Sequence, residues 1–168
     1  MPCVYVWLLV SMDRFVKPFG YWLAVGWGSG LLKPAPGTWG SLAGALVFWG
    51  LLSLSEGLTW ALLFLGTVFG AWICRIGGER LGEVDHGSIV WDEIIAMGWL
   101  LAVIELNYEL NWMNVALALL LFRVFDIFKP FPIDRVDAWH TPWGVMLDDL
   151  LAFAYAVICF FSLMYLIS

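Results

Sequence analysis

The stretch Leu58–Ile76 reads LTWALLFLGTVFGAWICRI and carries no charged side chain before Arg75. A helix of this length and composition suits the ~30 Å hydrocarbon core of a bilayer. The whole chain has the same character, since 62% of its 168 residues are hydrophobic and only 13% are charged, with a mean hydropathy of +0.88. Soluble domains carry about 25% charged residues. The sequence therefore predicts an all-α, polytopic helical membrane protein.

Short polar breaks divide the rest of the chain into further apolar runs. We predict five membrane-spanning helices, at Ser41–Ser55, Leu58–Ile76, Ile89–Ile104, Trp112–Phe128 and Leu147–Ile167. Tyr21–Leu32 is too short and too rich in glycine to span, and is predicted to be a re-entrant or interfacial helix. Residues 1–20 are interpreted as an N-terminal segment that is either interfacial or begins at Met12, and residues 21–168 as a single membrane-embedded domain.

The charged residues gather on one face of this predicted bundle. If the spans alternate in direction, every basic residue falls on one side: Arg14, Lys17, Lys33, Arg75, Arg80, Arg123, Lys129 and Arg135. The preference of Lys and Arg for the inner side makes that face cytoplasmic. Eleven of the fourteen acids fall there too, all except Glu56, Glu105 and Glu109. Attraction to lipid explains the cations but not the acids, and the net charge of −6 argues against nucleic acid as a partner.

Two predicted spans open with adjacent acids on this face. Asp92-Glu93 begins the third span, where Ser88 is a candidate helix cap, and Asp148-Asp149 begins the fifth. The helix dipole stabilises an acid in the first turn of a helix, which accounts for one acid of each pair. It does not account for a second, adjacent acid at the start of an apolar helix. Ionisable groups at such depth usually face a wet or protein-lined cavity. The two pairs predict an oxygen-rich site for Mg²⁺ or Mn²⁺.

Basic residues end the fourth span. Arg123, Asp126 and Lys129 recur every three residues and so share one flank of a helix. In a purely structural interpretation, Asp126 forms an ion pair three residues along the helix and the long Lys129 side chain extends to the membrane interface. Beside a metal held by carboxylates, Arg123 and Lys129 would instead clamp a phosphate.

Two further segments carry candidate polar groups. His86 lies beside Asp85 and is interpreted as a general acid, a metal ligand or a polar loop residue. The glycine-rich stretch that leads into the first span contains Thr38 and Ser41, and its backbone amides either bind an anion or permit close helix packing. The stretch matches neither the P-loop nor the dinucleotide-binding fingerprint.

Four stretches together resemble bacterial phosphatidylglycerophosphatase A, in the same order along about residues 21–155. They are Leu23–Gly44, Asp85–Trp99, Phe122–Asp137 and Gly144–Ala152. The resemblance implies hydrolysis of a membrane phospholipid, phosphatidylglycerophosphate, to phosphatidylglycerol and phosphate. It also implies dependence on Mg²⁺ and residence in the bacterial inner membrane, with the active site facing the cytoplasm.

The resemblance leads to a mechanistic hypothesis. Mg²⁺ held by carboxylates activates a water molecule that attacks the phosphorus in line; a carboxylate nucleophile forming an aspartyl-phosphate is the alternative. The expected metal ligands are Asp92, Glu93, Asp126, Asp148 and Asp149, with Asp92 and Asp149 also catalytic. Asp85 or His86 would protonate the leaving oxygen, and the phosphate would be held by Thr38, Ser41, Arg123 and Lys129. The main rivals are a small transporter or channel with an inner-face ion site, and a phosphatidyl-group transferase.

Overall fold

The computed structural model describes residues 16–167, which form helices joined by turns and loops. Residues 16–24 form a helix, and a 3-10 segment follows at Gly26–Leu31. Six helices complete the described part of the chain: α1 (Pro36–Leu54), α2 (Glu56–Leu81), α3 (Trp91–Glu105), α4 (Trp112–Phe128), α5 (Ile133–Asp137) and α6 (Pro142–Ile167). No strand occurs within residues 16–167. The all-α prediction is confirmed.

The helix ends follow from local chemistry. Pro36 occupies the first turn of α1, where its missing N–H costs nothing. The Ser55 side chain accepts a hydrogen bond from the Leu58 amide at 3.4 Å and so caps α2, which ends at Gly82 in the left-handed conformation (φ 87°). The Asn111 side chain caps α4 by accepting from the Met113 and Asn114 amides, each at 3.0 Å.

Three of the described helices, α1, α2 and α6, are long and apolar enough to cross a membrane. The helices predicted as the third and fourth spans are shorter, at 15 residues for α3 and 17 for α4. Ten of the fifteen residues of α3 are buried against other helices. A helix surrounded by protein is not required to match the thickness of the bilayer, which explains why α3 falls short of a full span.

Helix α3 is the centre of the bundle and packs against α1, α2, α4 and α6. Its contact with α1 is close because α1 presents glycines to it. A Cβ on Gly44 would lie 2.8 Å from the backbone of Ile94, and one on Gly40 would lie 2.5 Å from Cβ of Val90. Small residues at such a contact allow two backbones to approach each other, as is common between membrane helices.

The structure corrects the prediction of one helix over Tyr21–Leu32. The helix of residues 16–24 ends at Val25, and the following turn contains Gly26, Trp27 and Gly28, all with positive φ. The turn folds back on the loop before α3, and the Val90 amide donates to the Ala24 carbonyl at 2.8 Å. Of the predicted segment 1–20, residues 1–15 lie outside the described part.

Two other helix starts differ from the predictions. The sequence placed Asp148 and Asp149 at the opening of a helix, but α6 begins at Pro142 and its first turn contains no acid. First-turn electrostatics therefore cannot explain this pair. Ser88 does not cap α3, since Val90 occupies the cap position and the Ser88 amide donates instead to Nδ1 of His86 at 3.1 Å.

Candidate active site

Three carboxylates from two helices meet in the interior of the protein. Asp92 and Glu93 lie in the first turn of α3, and Asp149 lies in the second turn of α6. One oxygen from each lies within 4.8 Å of the others. All three are buried, with 7%, 9% and 3% of their surface exposed. Carboxylate oxygens at this spacing are a ligand set for a hard divalent cation. We call these three residues the carboxylate cluster.

The cluster has unused bonding capacity. Within residues 16–167, Oε2 of Glu93 is buried and has no hydrogen-bond partner. Oδ1 of Asp92 is occupied, because it accepts the Glu93 amide at 3.1 Å. A buried, unpartnered carboxylate oxygen beside two more carboxylates is costly unless positive charge is added. The donor set therefore fits a bound cation.

Arg123 of α4 supplies the nearest fixed positive charge. Its Nη1 lies 2.6 Å from Oδ2 of Asp126, 3.7 Å from Oε1 of Glu93 and 3.4 Å from Oγ of Ser41. The side chain is 16% exposed, and its Nε has no partner within the described residues. Arg123 therefore links α1, α3 and α4, and it places a guanidinium, a good phosphate ligand, at the edge of the carboxylate cluster.

Gly37, in the first turn of α1, forms the adjacent wall. A Cβ on this residue would collide with Oε1 of Glu93 and lie 3.0 and 3.1 Å from Nη1 and Nη2 of Arg123. The Gly37 carbonyl accepts a hydrogen bond from Oγ of Ser41 at 2.8 Å. The start of a helix carries backbone N–H groups that its own carbonyls do not satisfy. Here Pro36 has no N–H, and the Thr38 and Trp39 amides donate to the Ala35 carbonyl at 3.1 and 3.3 Å, so the amide of this turn that remains for an anion is that of Gly37.

Lys129 and Asp148 belong to a second polar group beside the cluster. Lys129 follows α4 in the left-handed conformation (φ 43°) and forms an ion pair with Asp137 of α5 and another with Oδ2 of Asp148 at 2.7 Å. Burial by itself would lower the pKa of Lys129, but the hydrogen bonds to both acids and their negative charge outweigh it and raise the pKa above its usual value. Lys129 therefore stays charged at physiological pH.

Comparison with known proteins now decides the family. A family model described as phosphatidylglycerophosphatase A matches residues 22–164. The chain belongs to this family.

Curated relatives agree with the match. The chain is 47% identical over 146 residues to phosphatidylglycerophosphatase A of Haemophilus influenzae, covering 85% of this chain and 87% of the relative. It is 42% identical over 135 residues to the Escherichia coli protein of the same name, covering 77% and 74%. It is 34% identical over 141 residues to a putative phosphatidylinositol-3-phosphatase of Bacteroides thetaiotaomicron, covering 81% and 87%. No solved structure matches the chain.

Membership of the phosphatidylglycerophosphatase A family confirms the function inferred from the sequence, that of an enzyme that hydrolyses phosphatidylglycerophosphate. The transporter or channel interpretation is not supported. The family also agrees with the three apolar helices of spanning length in indicating a membrane protein.

The structure brings most of the predicted site residues together. Asp92, Glu93 and Asp149 form the cluster, and Asp126 and Ser41 reach it through Arg123. Thr38 is half-buried, next to Gly37 in α1. The other predicted residues are not part of the cluster. Asp148, although buried, pairs with Lys129, and Asp85 and His86 lie in the loop before α3.

The loop residues have different surroundings from the cluster. Asp85 is exposed, and His86 is half-buried with its Nδ1 accepting the Ser88 amide. That bond stabilises the turn that leads into α3. No ion pair joins either residue to the cluster among those found in residues 16–167. Their predicted catalytic role remains a prediction.

Sequence reasoning missed two residues of this candidate site. Gly37 was visible only as one glycine among several, and its contact with Glu93 depends on how α1 packs on α3. Asp137 was predicted to share a face with Lys129, but its pairing with Lys129 requires the turn of the chain through α5.

Proposed function

We propose that this chain hydrolyses the terminal phosphate of phosphatidylglycerophosphate at the cytoplasmic face of the bacterial inner membrane, using Mg²⁺ bound at the carboxylate cluster. The observation that carries the proposal is the meeting of Asp92, Glu93 and Asp149 beside the Arg123 guanidinium. A phosphomonoester is doubly negative, and an acidic site attracts it only when a cation offsets the carboxylates. The family of the chain supports the choice of substrate.

Asp92, Glu93 and Asp149 would hold the metal directly. Asp126 and Asp148, both predicted as ligands, each already pair with a cation, Arg123 and Lys129 respectively. Asp148 therefore suits a role in orienting the site, since its Oδ1 also accepts the Asp149 amide at 3.0 Å, whereas Asp126 pairs through Oδ2 and keeps Oδ1 for a metal. When bound, Mg²⁺ would supply positive charge to the phosphoryl oxygens and a more acidic water for the attack.

The protein's own groups would bind and orient the phosphate. Arg123 offers planar N–H donors and is held in place by Asp126 and Ser41. The first turn of α1 offers the backbone amide of Gly37, since the Thr38 amide already donates to the Ala35 carbonyl at 3.1 Å, and the Thr38 hydroxyl lies next to it in sequence. A phosphate held between these two groups would lie against Glu93, since Glu93 contacts Arg123 and would collide with a Cβ on Gly37.

Proton transfer to the leaving glycerol oxygen is assigned to Asp85 or His86. Both precede α3 in the loop that leads directly to Asp92, and both lie nearer to solvent than the carboxylate cluster. Binding of the headgroup against this loop would bring the leaving oxygen within reach of one of them. Lys129 would keep Asp148 neutralised rather than touch the phosphate itself.

The proposed topology has five passes with the site facing the cytoplasm. Three cations lie in the last two turns of α4 or beyond it, namely Arg123, Lys129 and Arg135. This supports a cytoplasmic position for the site, because basic residues prefer that side. With 15 residues, α3 is about 22 Å long. It would cross the membrane inside the bundle, with its first turn below the headgroup level.

The first experiment is phosphate release from phosphatidylglycerophosphate by the purified full-length protein, with Mg²⁺ and with EDTA. Asp149→Asn is the test variant and Asp134→Asn, which changes an exposed acid of α5, is the matched control. We expect release that requires Mg²⁺, is lost in Asp149→Asn and persists in Asp134→Asn. Release that persists in EDTA would overturn the metal mechanism, and no release by folded wild-type protein would overturn the proposed activity.

A further inference from the structure

The Lys129 ammonium is held by two acids that lie at different depths in the protein. Its Nζ donates to Oδ2 of Asp148 at 2.7 Å and to Oδ1 of Asp137. The side chain of Asp148, in α6, is 8% exposed, whereas that of Asp137, at the end of α5, is 33% exposed. The ammonium therefore lies between an inner acid and an outer one.

The inner acid leads directly to the carboxylate cluster. Oδ1 of Asp148 accepts the backbone amide of Asp149 at 3.0 Å, and Asp149 contributes one of the three clustered oxygens. Two hydrogen bonds and one carboxylate group thus separate Nζ of Lys129 from the backbone of a cluster residue. Lysine carries its charge on a flexible four-carbon stem, so rotation of that stem would bring the ammonium to the cluster.

The cluster would attract a released ammonium. Within residues 16–167, Asp92 and Asp149 take part in no ion pair, and Glu93 has one, a 3.7 Å contact with Arg123. Opposite charges attract each other strongly where water is excluded. An ammonium among these carboxylates would occupy the position of a metal ion. A Lys129 side chain freed from its outer acid would therefore compete with the metal.

The backbone that carries Lys129 is fixed independently of Asp137. The Tyr155 hydroxyl of α6 donates to the Phe131 carbonyl at 2.8 Å, and Ile133, at the start of α5, is fully buried. Both contacts hold the turn between α4 and α5 against the bundle. Removal of the Asp137 carboxylate would consequently free the ammonium without moving the turn.

We infer that Asp137 is a positioning residue that keeps the Lys129 ammonium out of the metal site. The inference rests on the proposed function, in which Asp137 touches neither the metal nor the phosphate and acts through Lys129. When Asp137 is present, it shares the ammonium with Asp148, and the carboxylate cluster stays open to Mg²⁺. Without Asp137, the ammonium has one partner left and moves to the cluster, where it competes with Mg²⁺.

The test measures metal binding in the absence of substrate. Purified full-length protein in detergent is titrated with Mn²⁺, which prefers the same oxygen ligands as Mg²⁺, and the free ion is measured by electron paramagnetic resonance. We expect Asp137→Ala to weaken Mn²⁺ binding about tenfold, the effect of one charged hydrogen bond. Asp134→Ala removes an exposed acid of the same helix and is the matched control, which should bind Mn²⁺ as the wild type does.

A double variant shows whether Asp137 acts through Lys129. Competition requires the ammonium, so Lys129→Met should bind Mn²⁺ at least as tightly as the wild type. Adding Asp137→Ala to Lys129→Met should then change nothing, whereas a general effect of negative charge predicts the same loss in both backgrounds. Weaker binding by the double variant than by Lys129→Met, or wild-type binding by Asp137→Ala alone, would overturn the inference.

Two conservative variants separate positioning from folding. Asp137→Glu keeps the carboxylate at a partly exposed position and should retain wild-type Mn²⁺ binding. If Asp137→Ala does not fold, Asp137→Asn takes its place, since the amide oxygen still accepts a hydrogen bond from Lys129 but carries no charge. Mn²⁺ binding by Asp137→Asn should be weaker than that of the wild type, and equal binding would contradict the inference.

Phosphate release distinguishes this inference from the proposed function. In Asp137→Ala, the Mg²⁺ concentration for half-maximal release should rise by the factor found for Mn²⁺, while the rate at saturating Mg²⁺ is retained. A lower rate at every Mg²⁺ concentration would mean a distorted site and would overturn the inference. Failure of the wild type to bind Mn²⁺ would refute the proposed metal site, whereas Mn²⁺ binding without phosphate release would refute the proposed activity alone.

Discussion

At the scale of single residues, Arg123 is the side chain on which the phosphate site depends most. We expect Arg123→Lys to lower kcat/KM by about 10²-fold, because an ammonium cannot reproduce the planar donors that meet Asp126, Glu93 and a phosphate together. The measurement is the rate of phosphate release against substrate concentration. Arg135→Lys, an exposed cation of α5 lying over the Phe131 ring, is the control and should retain activity. Equal rates for Arg123→Lys and wild type would exclude phosphate contact by Arg123.

Gly37 allows a sharper test, because one methyl group separates the variant from wild type. Gly37→Ala places a Cβ against Oε1 of Glu93 and should reduce kcat/KM more than about tenfold, as small displacements in a site are costly. Gly50→Ala changes a glycine of the same helix where a Cβ meets nothing within 4 Å, and should be neutral. If both variants have wild-type rates, the start of α1 does not form a wall of the site.

Charge and depth in the sequence indicated which acidic residues the structure brings together, and their function stays a prediction. Adjacent acids in an apolar run are expensive, so Asp92, Glu93 and Asp149 could be predicted as functional. The sequence could not assign Asp148 and Asp149 to different surroundings, because that depends on the rotation of α6 in the bundle. Nor could it show that Lys129 forms ion pairs with two acids, because Asp137 comes close to Lys129 only through the turn of the chain between α4 and α5.

At the scale of elements, the ion pairs of Lys129 hold together the end of α4, α5 and the second turn of α6. Lys129→Met should lower the melting temperature by several degrees, because it leaves Asp137 and Asp148 unpaired. The folded-state pKa of Lys129 is raised, so the stabilisation is complete below the unfolded value of about 10.4 and is lost only as the pH rises through the folded value. The difference between wild type and variant should therefore be constant between pH 7 and 9.

Thermal melting of both proteins across that pH range checks this expectation. Lys129→Arg, which keeps the charge, is the control and should lie closer to wild type than Lys129→Met does. A difference that shrinks between pH 7 and 9 would mean that the ammonium loses its proton there, contrary to the surroundings described.

Helix boundaries show where element prediction reached its limit. The starts of α1 and α6 lie five residues before the predicted spans, because Pro36 and Pro142 begin helices in polar sequence that hydropathy does not detect. The segment Tyr21–Leu32 looked like one short helix, but positive φ at Gly26 and Gly28 divides it. Hydropathy reports which residues avoid water, and it says little about where a backbone turns.

At the scale of the whole molecule, the proposed five passes place the segment that contains Asp134 on the inner side of the membrane. The loop that contains Glu109 lies on the outer side. We expect Asp134→Cys to react with a membrane-impermeant maleimide only after the membrane is permeabilised. Glu109→Cys should react in intact cells. Both positions are exposed in the structure. The parent protein without added cysteines is the control. Labelling of both positions in intact cells would rule out this topology.

The contact between α1 and α3 has a consequence for how the protein responds to a change in its membrane. Gly40 and Gly44 set the distance between the two helices by direct backbone approach, so that distance does not depend on side chains that face lipid. Bacteria differ in the thickness and fluidity of their membranes, and they adjust both with temperature. In this chain the spacing of α1 and α3 beside the proposed phosphate site should therefore stay constant when the lipid around the outer helix surfaces changes.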